Sequence, residues 1–425
     1  MAGPKSTRRV RGRPAQGAGA PRPGGRAGVA ARAPVAAPAP RAAARPEAGS
    51  AAAADDGVPA WAERVLEEVL TPTFWFDPGE SGGPFRVTVW FSGRRAGVTG
   101  KPGSGDAFRQ EVTAEGVVPG SGPVAVTAEV RGITPGEWIV TARPVARAGG
   151  RAVRAYAPGR DGKQTGRRGA LWPRRVAVPA GPQAAVRTAR LAFTKIPGIK
   201  RLAYSGLICA GVLAGLAVQA SLLAWAGLPW APALVFSLYA VVAGLAGAKV
   251  WFIAVHRGRK FEGWCIQGFV AGAAVLAAAA PVAGLGVPVG AYSAAAAAGL
   301  LIGMGIGRPG CFWAGCCAGK ATASRWGIWS SDRRIGCRRL PVQPLEALLA
   351  VATGLAALAV VLLLGPARSG PVGPAALAAY TLGRQLLLGL RADPPRRSPR
   401  GGLVTAAAAA VVLIASITVL ALGAA

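Results

Sequence analysis

Beyond residue 202 the chain is a succession of long apolar runs broken by short polar stretches. The runs cover 203–226, 231–255, 265–283, 286–306, 343–364, 373–390 and 402–424. Most approach the roughly 20 residues that cross about 30 Å of hydrocarbon as helix. Only structures that pair their own backbone groups survive in that medium, so the pattern predicts seven transmembrane helices. Gly, Ala and Ser abound in these runs, and small residues let helices approach closely in lipid. The 373–390 run is the least regular because Arg384 lies inside it.

Ahead of these runs the period differs. In 57–70, Trp61, Val65, Leu66, Val69 and Leu70 recur at helical spacing, which predicts a short amphipathic helix. From 71 to 157 the period shortens: FRVTVWF (85–91), VAVTAEV (124–130) and EWIVTAR (137–143) alternate or run β-branched and aromatic between Gly/Pro turns. The segment VRGITPGEWIVTA (130–142) resembles the last strands of a fibronectin type III or immunoglobulin-like sandwich. Residues 158–202 read as a basic linker. Residues 1–54 are rich in Ala, Pro, Gly and Arg with no apolar period, the composition of a disordered tail. The expected fold class is an all-α polytopic membrane protein of about seven helices, 203–424. A disordered basic tail (1–54) and a short helix plus small all-β sandwich (55–157) precede it.

Composition sharpens this picture. Of the 425 residues 52% are hydrophobic, and mean hydropathy is +0.37, which excludes a wholly disordered chain and disfavours a soluble globule. Net charge is +31, yet only four acids lie beyond residue 200: Glu262, Asp332, Glu346 and Asp393. No apolar core follows the basic start, so it does not read as a signal peptide. A basic tail before a membrane half suits a lipid surface or simple solvation, with no specific nucleic acid implied. With seven spans, the loops on the N-terminal side (256–262, 307–342 and 391–401) hold 14 Lys and Arg, against Arg368 alone on the other side. The positive-inside rule then puts the N-terminal half in the cytoplasm.

Charges inside or beside membrane spans are costly and usually have a task. They gather in 244–269, in GRPGCFWAGCCAGKATASRWG (307–327) with LPVQPLEALLA (340–350), and in YTLGRQLLLGLRADP (380–394). Arg384 and Arg391 stand seven apart, one face of a helix. Together with Arg308 in a Gly-rich, re-entrant loop they would clamp a phosphate, because guanidinium forks match phosphate oxygens. Gly307 and Gly310 would let backbone approach the ligand. The competing structural reading is an Arg384–Glu346 pair that ties two helices together. The single histidine, His256, excludes a multi-His metal site or a His-based triad. Cys311, Cys316, Cys317 and Cys337 follow a C-x4-C-C-x19-C spacing without the paired C-x-x-C knuckles of structural zinc. No metal or other cofactor is expected. Packing, a disulfide and a thiolate lowered by nearby arginine remain open for these cysteines.

The order of these motifs resembles the bacterial prolipoprotein diacylglyceryl transferase family over 203–424. The family's Gly-Ala-Arg-Leu stretch resembles Gly247, Ala248, Lys249 and Val250, and its G-G-x-x-F-H-G-G loop resembles Glu262 through Phe269. Its signature G-R-x-G-N-F-x-N-x-E-x-x-G-x-x-T appears as GRPGCFWAGCCAGKAT, and its H-P-x-Q-L-Y-E-A as Leu340 through Ala347. Gly307, Arg308, Gly310, Phe312, Gly319, Thr322, Pro341, Gln343, Glu346 and Arg384 are kept. The family's loop histidine is replaced by Gln267, the signature asparagine and glutamate by Cys311 and Cys316, and the later histidine and tyrosine by Leu340 and Pro344.

The resemblance implies a plasma-membrane enzyme that moves a diacylglyceryl group from phosphatidylglycerol to the cysteine thiol of a lipoprotein precursor. It implies no cofactor. Arg308 and Arg384 stand at kept positions and Gln267 at the loop histidine; these three, with Glu262 as a nearby acid, are the candidate catalytic residues. Arg391, Gly307, Gly310, Cys311, Cys316, Gly319, Gln343 and Glu346 are the candidate substrate-binding residues. Glu262 is a better proton acceptor than His256, since partial burial raises a carboxyl pKa. The alternatives are a degenerate paralogue that binds anionic lipid or acts as a scaffold, and a thiol-redox or metal membrane protein.

Overall fold

The computed structural model describes residues 67–146, 154–155, 183–255, 266–279, 284–392 and 399–424. Its first part is a pair of facing sheets. One has the strand order β4 (Ala107–Val117), β3 (Phe85–Arg95), β6 (Glu137–Ala146), β8 (Gln183–Arg187). In β3 and β6 the alternation read from sequence is the alternation of inward and outward side chains. Phe76, Val87, Val89, Phe91, Val124, Val126 and Trp138 fill the space between the sheets.

The second sheet draws on distant sequence. Its order is β10 (Ile328–Ser331), β11 (Ile335–Arg339), β5 (Val124–Thr127), β2 (Thr73–Asp77), β7 (Arg154–Ala155). β10 and β11 form a hairpin in the polar stretch between two membrane helices, and β11 pairs antiparallel with β5 through Ile335↔Val126 and Gly336↔Ala125. Trp329 of β10 stacks on Trp75 with ring centroids 5.6 Å apart, and its indole N–H donates to the Pro123 carbonyl at 3.0 Å. The sandwich is thus continuous with the membrane half.

Two local expectations change. Glu68–Val69 is a strand, β1, paired with β9 (Ala189–Arg190), and not the end of a helix. Val69 and Leu70 are both buried, and since successive strand residues point to opposite faces, both faces are covered here, whereas a surface helix would bury one stripe. The rest of the expected helix, 57–66, lies outside the described residues, as do the 1–54 tail and most of the linker. β8 and β9 fall inside the stretch that reads as linker. The sandwich closes onto the first membrane helix through Glu129, which takes a hydrogen bond from Arg201 at 2.9 Å and another from Arg131. Burial alone would raise the Glu129 carboxyl, but Arg131 and Arg201 together hold it below its ordinary range.

Seven helices follow: α1 (Arg201–Trp225), α2 (Trp230–Val255), α3 (Ile266–Ala277), α4 (Val289–Ala314), α5 (Val342–Arg368), α6 (Val372–Leu388) and α7 (Pro399–Ala424). Among the described residues five are long and apolar enough to cross a membrane: α1, α2, α4, α5 and α7. α3 and α6, with 12 and 17 described residues, are shorter than these five.

Helix α4 runs through the middle of the bundle on a seam of small residues. A Cβ added at Gly299 or Gly303 would come within 2.2 or 2.3 Å of the Gly215 or Gly211 carbonyl oxygen of α1. Both helices carry Gly-x-x-x-Gly on the contact, the spacing that brings helix backbones together in lipid. Gly303→Val should therefore force α1 and α4 apart, at a cost of about 1–3 kcal/mol or more. The expected result is a lower melting temperature for detergent-purified protein; an unchanged one would refute the seam.

Candidate functional site

The polar end of α4 gathers most of the residues that the motifs single out. Arg308 lies within α4, one and a half turns before its end, so the Gly-rich signature is helical here and not a re-entrant loop. Gly307 and Gly310 face α1: an added Cβ would meet Ile208 or Tyr204 at 3.3 Å. Their service is to helix packing, which differs from the expected approach to a ligand.

α4 stops at Gly315, whose φ of 65° is the left-handed cap that glycine takes without steric cost. The Cys316 N–H then returns to the Cys311 carbonyl at 3.1 Å. Cys317 is left-handed as well, with φ 57°, a conformation that costs a residue with a Cβ about 1–2 kcal/mol. These two reversals bring the sulfurs of Cys311, Cys316 and Cys317 within 4.8 Å of one another, all half-buried and unbridged. Cys337 is elsewhere, buried on β11 in the sandwich core, so the four-cysteine grouping read from sequence is a trio plus one packing residue.

α5 begins after Pro341 and turns Gln343 and Glu346 inward; Glu346 is 0% exposed. Gln343 donates to the Cys316 carbonyl at 3.0 Å and so pins the cysteine turn. Glu346 sits between two arginines: Arg308 Nη1 is 3.0 Å from Oε2, and Arg384 Nε is 3.8 Å from Oε1. Arg308 Nη2 also donates to the Tyr380 hydroxyl at 3.3 Å. The helix-tying pair weighed from sequence, Arg384–Glu346, is thus the looser of two contacts.

Arg391 reaches the site by another route than the one expected. α6 ends at Leu388, so Arg384 and Arg391 do not share one helical face. Arg391 is instead placed by a β-bridge to Gly319, flanked by the Ala392 N–H to Ala318 carbonyl bond at 2.9 Å and the Lys320 N–H to Leu390 carbonyl bond at 2.9 Å. Gly319 is needed there because a Cβ would strike the Leu340 carbonyl. Of the remaining candidates, Glu262 and His256 lie outside the described residues, and Gln267 is described only as a backbone position in the first turn of α3.

The balance of charge is uneven. Arg308, Arg384 and Arg391 converge on this end of the bundle, and Glu346 is the one acid in direct ion-pair contact with any of them among the described residues. The Nε atoms of Arg308 and Arg391 are buried without a hydrogen-bond partner. Unpaired buried cations are expensive, and the surplus fits an anion with several oxygens. Tyr380 is the residue that the motifs did not single out; its spacing of four from Arg384 on α6, one helical face, was the available signal.

Residues 191–424 match the family model for prolipoprotein diacylglyceryl transferase. The match takes in all seven helices and the β10–β11 hairpin, and leaves out the strands before residue 191. No curated protein matches the chain. With more than half of its length matched, the chain belongs to the prolipoprotein diacylglyceryl transferase family, a family of membrane transferases of lipoprotein biosynthesis.

Proposed function

We propose that this protein transfers a diacylglyceryl group from phosphatidylglycerol to the cysteine thiol of a lipoprotein precursor, as a seven-span protein of the bacterial plasma membrane. The observation that carries the reading is the surplus of arginine around Glu346. Arg308 and Arg384 hold the donor's phosphate with Arg391 assisting, and in the reaction they stabilise the charge that grows on the leaving glycerol phosphate. Glu346 keeps the two helix-borne guanidinium groups apart and aimed at one place. Tyr380 fixes Arg308.

The second reading, a lipid-binding scaffold without catalysis, is favoured by one fact: Glu346, the one acid of the site among the described residues, is paired with Arg308 and Arg384. Expression in a bacterium depleted of its own diacylglyceryl transferase separates the two. The transferase reading predicts restored growth and lipid-modified precursors; accumulation of unmodified precursor at normal expression would leave the scaffold.

The reaction carries an orientation. The β11–β5 pairing puts the sandwich on the same side as the α4–α5 connection and the arginine site, and lipoprotein precursors emerge on the outer face. We place both outside, against the loop-charge count. That count includes Arg308, Arg333 and Arg339, which are engaged with Glu346, the Ala314 carbonyl and Asp332, and long domains translocate largely regardless of charge. Lys101→Cys on the sandwich should react with an impermeant thiol reagent on whole cells, and protection there would overturn this placement.

A further inference from the structure

Three thiols meet beside the arginines, and no step assigned to the transfer above employs their sulfurs. Their sulfurs already lie within 4.8 Å of one another. Tetrahedral zinc with Zn–S of about 2.3 Å sets sulfurs roughly 3.8 Å apart, a contraction within reach of side-chain rotation. The turn that assembles them is held on three sides: by the Gly315 cap, by the Gln343 bond to the Cys316 carbonyl, and by the Arg333 bond to the Ala314 carbonyl at 2.8 Å. Among the described residues no fourth Cys, His, Asp or Glu joins the trio. Three thiolates and a divalent ion carry a net negative charge, and the cationic Arg308 stands three residues before Cys311 on the same helix.

We propose that Cys311, Cys316 and Cys317 bind a thiophilic divalent ion of the zinc class, and that its fourth position takes the thiol of the acceptor peptide. Structural zinc closes with four protein ligands, whereas three leave a position for substrate. The trio is half-buried, so that position is open to a ligand. The inference rests on the transferase reading for the identity of the acceptor.

It also answers a gap in that reading. The family's loop histidine is Gln267 here, and an amide cannot take the thiol proton. A thiol bound to such an ion is deprotonated outright, with its proton passing to water. The metal-held sulfur then forms a bond to the glyceryl carbon of the donor as that carbon's bond to the phosphate oxygen breaks. The electron pair leaves with glycerol phosphate, under the arginines. The neutral thioether is a weaker ligand than a thiolate and releases the ion for the next acceptor.

The test uses the full-length protein in detergent, stripped with a chelator and titrated with Co2+. One Co2+ per chain should appear with thiolate-to-metal charge-transfer bands and the visible bands of a tetrahedral ion. Cys311→Ser, Cys316→Ser and Cys317→Ser should each weaken binding at least tenfold, while Cys209→Ser leaves it unchanged. A peptide with one cysteine should shift the cobalt spectrum, and its serine counterpart should not. Absence of thiolate bands, their persistence in the serine variants, or indifference to the peptide thiol would each overturn the site. A thiol-dependent shift in a protein that transfers no lipid when loaded with zinc overturns the proposed function and keeps the site. Transfer undiminished after stripping does the reverse.

Discussion

Arg308→Gln is expected to lower the proposed diacylglyceryl transfer by about 10²–10³, the loss that follows removal of one positioned donor to a developing oxyanion. Three features together mark this residue, although Arg384 and Arg391 share its buried, unpartnered Nε. It is the nearer of the two arginines on Glu346, at 3.0 Å; it reaches Tyr380; and its Nε is buried with no protein partner. Glutamine keeps a hydrogen-bonding end and loses the charge. The effect falls on kcat more than on KM, because the charge on the leaving phosphate grows along the reaction. Arg384→Gln acts in the same direction and less strongly, since Arg384 stands 3.8 Å from the carboxylate. Phosphatidylglycerol co-purified with each variant, quantified by mass spectrometry, should fall as well. Wild-type lipid content in both variants, with a Glu346→Gln protein that no longer folds, would mean that the three charges only tie helices together. Breaking a buried pair by removing one partner costs about 3–5 kcal/mol, so the Glu346 variant is expected to be destabilised on either account. Lipid content in the arginine variants is the result that decides.

Trp329→Ala costs about 3–5 kcal/mol, the range for truncating a buried aromatic. Trp329 is 3% exposed, stacks on Trp75 and donates to the Pro123 carbonyl. A Cβ on Gly336 or Gly198 would strike its ring at 2.5 or 2.8 Å, so the pocket around it is tight. The loss is felt in both halves because β10 and β11 belong to the sandwich sheet and to the loop that leads into α5. Limited proteolysis should cut the variant in the 315–341 stretch while the wild type resists. The same continuity predicts that a fragment ending before α1 is unstable alone: it would lack β10 and β11, two of the five strands in its second sheet. A folded, cooperative β-rich spectrum from that fragment would contradict the shared sheet.

The membrane helices were legible because apolar length is a local signal: each of the seven runs has a helix within or across it. Their capacity to span was less legible. α3 and α6 end early, α6 where the chain must break to deliver Arg391 to Gly319. In the sandwich, β3 and β6 could be read from alternation. β11 could not, because its sequence IGCRR is polar and its partner β5 is some 200 residues away. Its outward Arg338 and inward Cys337 become intelligible only once β5 is beside it. For the site, residue identity was readable and mutual placement was not. Glu346 was read against Arg384, but α4 brings Arg308 closer. The cysteine trio shows the same limit: C-x4-C-C does not resemble a zinc knuckle on paper. Two left-handed residues, Gly315 and Cys317, bring its three sulfurs within 4.8 Å of one another.

The most direct measurement is transfer itself. Purified protein in vesicles of phosphatidylglycerol labelled in its head group is mixed with a precursor peptide that carries one cysteine. The account predicts a peptide heavier by one diacylglyceryl group in thioether linkage, and one labelled glycerol phosphate released per peptide modified. Release and modification should fall together in Arg308→Gln. Unmodified peptide and intact phosphatidylglycerol, in protein that still co-purifies with bound lipid, would contradict it and leave a lipid-holding member of the family that does not catalyse.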